Sequence, residues 1–160
     1  MKAVAIILIV LVLAAVGAIG YLYLKADLTV RFVNCIATEA VTQLDYFEQL
    51  KDGIEASTFV GTLYGSRELG TADGYQFLSY TLRLSNHAFL DAEVIEIRIT
   101  PMEGDVAQIG ETQQYRLPAG KEMDLSATIL TARGMHSVRE ATVTCYFWGI
   151  PFTTKLTVGR

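Results

Sequence analysis

The side chains of this 160-residue chain with chemistry to offer are two histidines, two cysteines and a scatter of carboxylates. His87 stands near Asp91 and Glu93, company that would orient an imidazole for general acid–base work. No metal-ligand spacing surrounds it, and none surrounds His136 in the turn-like stretch Arg133-Gly134-Met135-His136, so both read as loop histidines. Ser85 and Ser137 lie close to these histidines along the chain, but a triad requires convergence in space and no Gly-x-Ser-x-Gly elbow is present. Asp91, Glu93, Glu96, Glu103 and Asp105 contain enough carboxylates for a glycosidase pair, yet Asp91 and Glu96 read as solvated charges flanking a strand. No glycine-rich phosphate loop opens a helix. The expectation is no enzyme, with no catalytic, metal-binding or cofactor-binding residues and no cofactor.

Cys35 and Cys145 are the only cysteines. In an oxidising compartment they could pair, and a closed loop of about 110 residues would contribute roughly 4–5 kcal/mol in the chain-entropy model. Two buried free thiols are the equal alternative, since cysteine is among the most buried residue types. Their wide separation does not suggest zinc.

The strongest pattern lies elsewhere. From Ala3 to Leu24 the chain carries no charge, Pro, Asn or Gln. At 1.5 Å per residue that run is roughly 33 Å long, enough to cross a hydrocarbon core. Tyr21 and Tyr23 fall where amphipathic rings prefer the headgroup level, and Lys25 marks the return to water. A signal peptide would have a shorter apolar run ending in an Ala-x-Ala-like site, whereas Leu22 and Leu24 continue this one past Ala18-Ile19-Gly20. Residues 1–25 are therefore expected to be an uncleaved transmembrane anchor held in the lipid bilayer through residues 3–24. The expected topology is single-pass in the cell membrane, with the N-terminus inside and the following domain extracytoplasmic. Gly17 and Gly20, with Ala14 and Ala18 nearby, would permit close helix contact.

All 17 acidic residues follow the anchor, so residues 26–160 form a mildly acidic unit. With no Lys/Arg cluster, nucleic acid is not an expected partner. The length suits a single domain with a real core.

Along that domain, Leu28–Ile36 reads as a strand. Thr38 suits an N-cap, and Val41, Leu44, Phe47, Leu50 and Ile54 form an apolar stripe, which predicts the domain's one helix near residues 38–52. Strands are then predicted over Thr58–Tyr64, Leu78–Ser85, Glu93–Thr100, Gln113–Leu117, Met123–Ile129, Thr142–Phe147 and Phe152–Val158. Glu103-Gly104-Asp105 reads as a turn. This spacing argues for an antiparallel β-sandwich of about seven to nine strands, with Cys145 facing inward and Trp148 closing one end.

Leu82-Arg83-Leu84-Ser85-Asn86, then Ala92–Ile99, then Leu117-Pro118-Ala119-Gly120 carry a resemblance. The layout is similar to that of late-embryogenesis-abundant type 2 domains and of small bacterial membrane-anchored sandwich modules. His87 departs from the Pro that many of them place after the Asn. The resemblance implies an immunoglobulin-like sandwich of non-enzymatic habit and brings no catalytic residues. The fold class expected is thus mainly β, an N-terminal transmembrane helix followed by an immunoglobulin-like antiparallel sandwich with one short helix. The function expected is a binding or accessory module at the cell envelope, working on a protein partner or as a homo-oligomer. A pilin-like filament subunit, or another assembly subunit of a membrane complex, is the alternative; it lacks the acidic residue that a pilin places in its apolar run.

Overall fold

A computed structural model describes residues 2–24, 27–65, 68–110 and 115–159. Helix α1 (Lys2–Leu24) carries the apolar run. From Ala3 to Tyr21 its mean hydropathy is 3.0 and none of it is buried against the rest of the chain. By length and composition it can cross a membrane, a test that a signal sequence near an N-terminus also passes. Tyr21 is exposed on it; the side chain of Tyr23, and Lys25 as a whole, lie outside the described residues.

The strands follow in chain order as β1 (Leu28–Glu39), β2 (Gly61–Leu63), β3 (Tyr75–Asn86), β4 (Ala92–Ile99), β5 (Asp105–Ile109), β6 (Tyr115–Leu117), β7 (Glu122–Ala132), β8 (Arg139–Phe147) and β9 (Ile150–Val158). They make two sheets, β1-β3-β7-β5-β2 and β6-β4-β8-β9, in which every pairing is antiparallel. The protein is mainly β, as its alternating strands predict.

Leu78, Tyr80, Leu82 and Leu84 of β3 face Ile95 and Ile99 of β4 and Val143 and Cys145 of β8 in one core between the sheets. A second, smaller core lies on the outer face of the five-stranded sheet. There helix α2 (Leu44–Glu55) lays Phe47, Leu50 and Ile54 over Phe77 and Leu130. Consecutive residues therefore point into different cores: Phe77 outward and Leu78 inward, Leu130 outward and Ile129 inward. At that end the five-stranded sheet is covered on both faces.

Several boundaries differ from those read off the sequence. Strand β1 runs on to Glu39, so Thr38 is a strand residue and caps nothing. A short 3-10 turn, Ala40–Gln43, precedes α2, and no side chain caps either segment. At three residues per turn that segment rotates the stripe out of phase, leaving Val41 and Leu44 exposed while Phe47, Leu50 and Ile54 stay buried. The helix starts later than expected and runs on past residue 52 to Glu55. The strand expected over Thr58–Tyr64 shrinks to Gly61–Leu63. The turn expected at Glu103-Gly104-Asp105 is present, with Asp105 N donating to Met102 O at 3.0 Å, and strand β5, which was not expected, starts from its last residue. Gln113 lies outside the described residues.

Trp148 is the plainest correction. It does not close the sandwich but sits in the two-residue turn between β8 and β9, where Phe147 pairs with Ile150, and it is 65% exposed. Trp148 and Gly149 have φ of 51° and 76°, the pair of positive values that a tight hairpin turn requires.

Candidate functional site

The register sorts the loops to two ends. Leu28 pairs with Asn86, Ala92 with Leu117 and Glu93 with Tyr146. The start of β1, the 87–91 loop, the 118–121 turn and the Trp148-Gly149 turn therefore share the end beside the anchor, the near end. The 100–104 and 133–138 segments share the far end.

Residues that looked capable of chemistry are not brought together. His87 is exposed at the near end, where its backbone N–H donates to Asp27 O at 2.9 Å. His136 is at the far end, 3.5 Å by its Nδ1 from the Arg139 guanidinium. Ser85 Oγ donates to Glu122 Oε1 at 2.8 Å and Ser137 Oγ to Gly159 O at 2.7 Å, so neither hydroxyl faces a histidine. Asp91 accepts from Ala119 N and Arg116 Nε, both at 2.9 Å, and these bonds hold its carboxyl below the usual range. Glu93, Glu96 and Glu103 are exposed. Among the described residues, no three of His, Cys, Asp and Glu gather closely enough to hold a metal ion.

Two polar arrangements that the sequence did not disclose hold the sheets together. Asp105 of β5 and Arg139 of β8 form a forked ion pair, Nη2 to Oδ1 at 2.8 Å and Nε to Oδ2 at 2.9 Å, with both side chains fully buried. Arg139 Nη1 also donates to the carbonyls of His136 and Val138, each at 2.8 Å. Asp105 Oδ2 accepts from Met102 N at 2.8 Å. Burial alone would push the Asp105 carboxyl up, but bonds from Arg139, Met102 N and Thr131, with the charge of Arg139, hold it below the usual range. Beside the pair, Tyr80 OH donates to Ser137 O at 2.7 Å, and burial pushes that phenol up.

The second arrangement is Gln108 of β5. Strand β4 pairs with β6 only at Ala92 and Ile95, so its later residues lack a strand on that side. The Gln108 carboxamide fills the gap. Its Nε2 donates to Ile97 O at 2.6 Å and its Oε1 accepts from Ile99 N at 2.8 Å, as a neighbouring peptide group would. Tyr64 OH lies 2.8 Å from the same Oε1 and 2.9 Å from Ile99 O. A Gln108→Ala substitution is expected to cost about 2–3 kcal/mol by orphaning the buried Ile99 N–H and the partly buried Ile97 carbonyl, read as a fall in the urea midpoint at unchanged m-value.

Beside Gln108, between the sheets, Ile95, Ile97, Tyr115 and Ala127 line a cleft of about 100 Å³. That is well below the roughly 300 Å³ at which ordinary small-molecule pockets begin. A broader, shallow groove of about 380 Å³ runs between α2, the segment 58–60 and the end of β5, over Tyr46, Leu50, Phe59, Val60 and Ile109.

No family model matches the chain, and no curated protein does. Among solved structures it is similar to a FixG-related protein from Vibrio parahaemolyticus, at 10% identity and a TM-score of 0.38 over 85% of this chain and 96% of that one. It is also similar to the cupredoxin domain of amoB from Nitrosocaldus yellowstonii, at 10% identity and a TM-score of 0.34 over 85% and 90%. The β-sandwich assignment rests on the strands themselves.

Cys35 and Cys145 project from opposite sheets into the same core as free thiols. Burial pushes both up, Cys145 to about 11. Thiolate is thus scarce at neutral pH, and the folded protein is expected to react slowly with maleimide, partly buried Cys35 ahead of fully buried Cys145. Mass spectrometry after labelling in urea should find both modified. Failure of both to label in urea would show that they are joined.

Proposed function

We propose that the chain is a single-pass membrane protein whose immunoglobulin-like sandwich stands outside the cytoplasm. On this reading it works by contact, as a binding or accessory module at the cell envelope, and not by catalysis. The observation that carries this reading is α1, an apolar helix with no residue from Ala3 to Tyr21 buried in the protein, which lipid would satisfy. The dispersal of its histidines, serines and carboxylates supports contact over chemistry. The resemblance of Leu82–Ile129 to late-embryogenesis-abundant type 2 domains points the same way.

The binding surface we favour is the flank formed by β1 and β9. These are the outermost strands on the same side of the two sheets and, at twelve and nine residues, far longer than β2 and β6 on the other side. An unpaired strand edge offers backbone donors and acceptors to an added strand.

Photo-crosslinking in intact membranes tests the proposal. A reactive phenylalanine at Thr153 or Thr157, exposed positions on β9, should give a protein adduct of one discrete mass after detergent extraction. The same probe at exposed Glu48 on α2 should not. Absence of adducts from both β9 sites would sink this choice of surface.

A further inference from the structure

We propose that the near end of the sandwich rests in the headgroup layer of the bilayer that α1 enters, with Phe89 and Trp148 as its two lipid-facing anchors. The inference rests on the membrane-anchored reading above and deepens it, by naming a lipid surface as the partner of this end.

Distance comes first. Only residues 25 and 26 separate Leu24 of α1 from Asp27, so the tether spans at most about 11 Å even when extended. With α1 in a bilayer, the loops around Asp27 are held at the interface whatever the tilt of the domain. His87 N–H donates to Asp27 O, and the chain continues from there to Phe89.

Exposure comes second. Phe89 is 53% exposed and Trp148 65%, and Ile150 beside it is exposed as well. Neither ring shelters in the core. The loops presenting them are stiff. Buried Asn86 donates from Nδ2 to Leu90 O at 2.8 Å and to Leu117 O at 3.0 Å, while its Oδ1 accepts from Ala88 N at 3.0 Å. The other ring stands on a two-residue turn with no slack.

The backbone of Trp148 is the third observation. A residue at φ of 51° at the first position of such a turn is normally Asn, Asp or Gly. A side chain with a Cβ is strained there, and a bulky ring is an outlier. Within the chain that ring recovers little of the cost, because most of it stays in water. Burial against something outside the chain would offset it. Aromatic rings with one apolar face and one polar edge favour the membrane–water boundary, where such an exterior is on hand.

The charges nearby agree with a neutral headgroup layer. Lys121 is exposed at this end, but so are Asp27 and Glu122, while Asp91 is occupied by Arg116 and Ala119 N. The dock is aromatic and not basic, so phosphatidylcholine suffices.

Trp148 is the chain's only tryptophan, which makes its fluorescence a reporter on this one turn. The full-length protein is reconstituted into phosphatidylcholine vesicles, and flotation is measured first. In the floated fraction, lipid brominated near the headgroup should quench the emission about twofold more than lipid brominated near the midplane, and aqueous iodide should quench weakly. Phe89→Ser should raise iodide quenching by about twofold. Trp148→Asn, which suits the turn, should raise Tm in detergent by a few degrees. A lowered Tm would show that the ring serves the fold, and would overturn the proposal. So would strong iodide quenching with no effect of brominated lipid. Protection from both quenchers would place the ring against protein, and overturns it too. Failure to float defeats the anchored reading itself, whereas flotation with a water-exposed Trp148 defeats only the dock.

Discussion

Replacing Arg139 with methionine is expected to lower the stability of the sandwich by about 3–5 kcal/mol, the range found when one partner of a buried ion pair is removed. Both charged groups are wholly excluded from solvent, and the loss of either leaves the other desolvated without its counter-charge. Asp105→Ala should cost as much, because Arg139 would keep its carbonyl partners at His136 and Val138 but lose the carboxylate that forks it. Exchanging both at once, Asp105→Leu with Arg139→Met, should recover most of the loss, since apolar replacement of a whole buried pair is often neutral. Urea denaturation of the three variants gives the coupling energy, and a single-variant cost below about 1 kcal/mol would contradict the burial. The same pair sets an acid limit. Because the folded carboxyl of Asp105 is held below its unfolded value of about 3.9, its contribution is complete above that pH. It is lost as the pH falls through the folded value. Wild type should therefore lose stability on acidification below about pH 4 more steeply than the apolar double variant.

The second large effect concerns α1. A single arginine at the centre of a membrane helix costs about 2.5–3.5 kcal/mol, a penalty that snorkelling can soften. Leu11→Arg with Leu13→Arg places two charges at mid-helix, for a combined cost of about 5–7 kcal/mol. The wild-type chain is expected to stay in the membrane pellet through alkaline carbonate washing and to keep its full mass. The double variant should move to the soluble fraction. A wild-type product that begins after Gly20 would instead identify α1 as a removed signal sequence. Because no residue from Ala3 to Tyr21 is buried against the sandwich, the double variant should unfold in urea at the wild-type midpoint. Location and stability should thus change independently.

What the sequence disclosed follows from how local each cause is. In β3, β7 and β8 an apolar residue alternates with a polar one, and that is a property of neighbours, readable by eye. Strand β5 was invisible for the opposite reason. Asp105-Val106-Ala107-Gln108-Ile109 puts polar groups at two buried positions, and their partners lie on β8 and along the edge of β4. Nothing near Asp105 announces Arg139, which looks like an ordinary charge at the start of a strand. The paired apolar residues Phe77-Leu78 and Ile129-Leu130 were a legible sign of burial on both faces. A turn was legible near Gly149, but it read as Gly149-Ile150-Pro151, whereas Ile150 and Pro151 already belong to β9 and the turn is Trp148-Gly149. Trp148 was expected to close one end of the sandwich, and the turn geometry holds it in the open instead.

The antiparallel register also determines how the molecule would carry a load. Strand β1 starts at the near end, Leu28 beside Asn86, and β9 finishes at the far end, Val158 beside Arg139. Tension between the lipid and an object held beyond β9 would run along the strands and not across them. Ladder bonds lie perpendicular to the strands, so such a pull loads the β1–β3 ladder in shear, its rungs sharing the force. A pull on β1 from its Glu39 end, back toward the bilayer, would instead part those bonds one after another, like a zip. The direction of attachment therefore decides whether this sandwich behaves as a stiff strut or as a release.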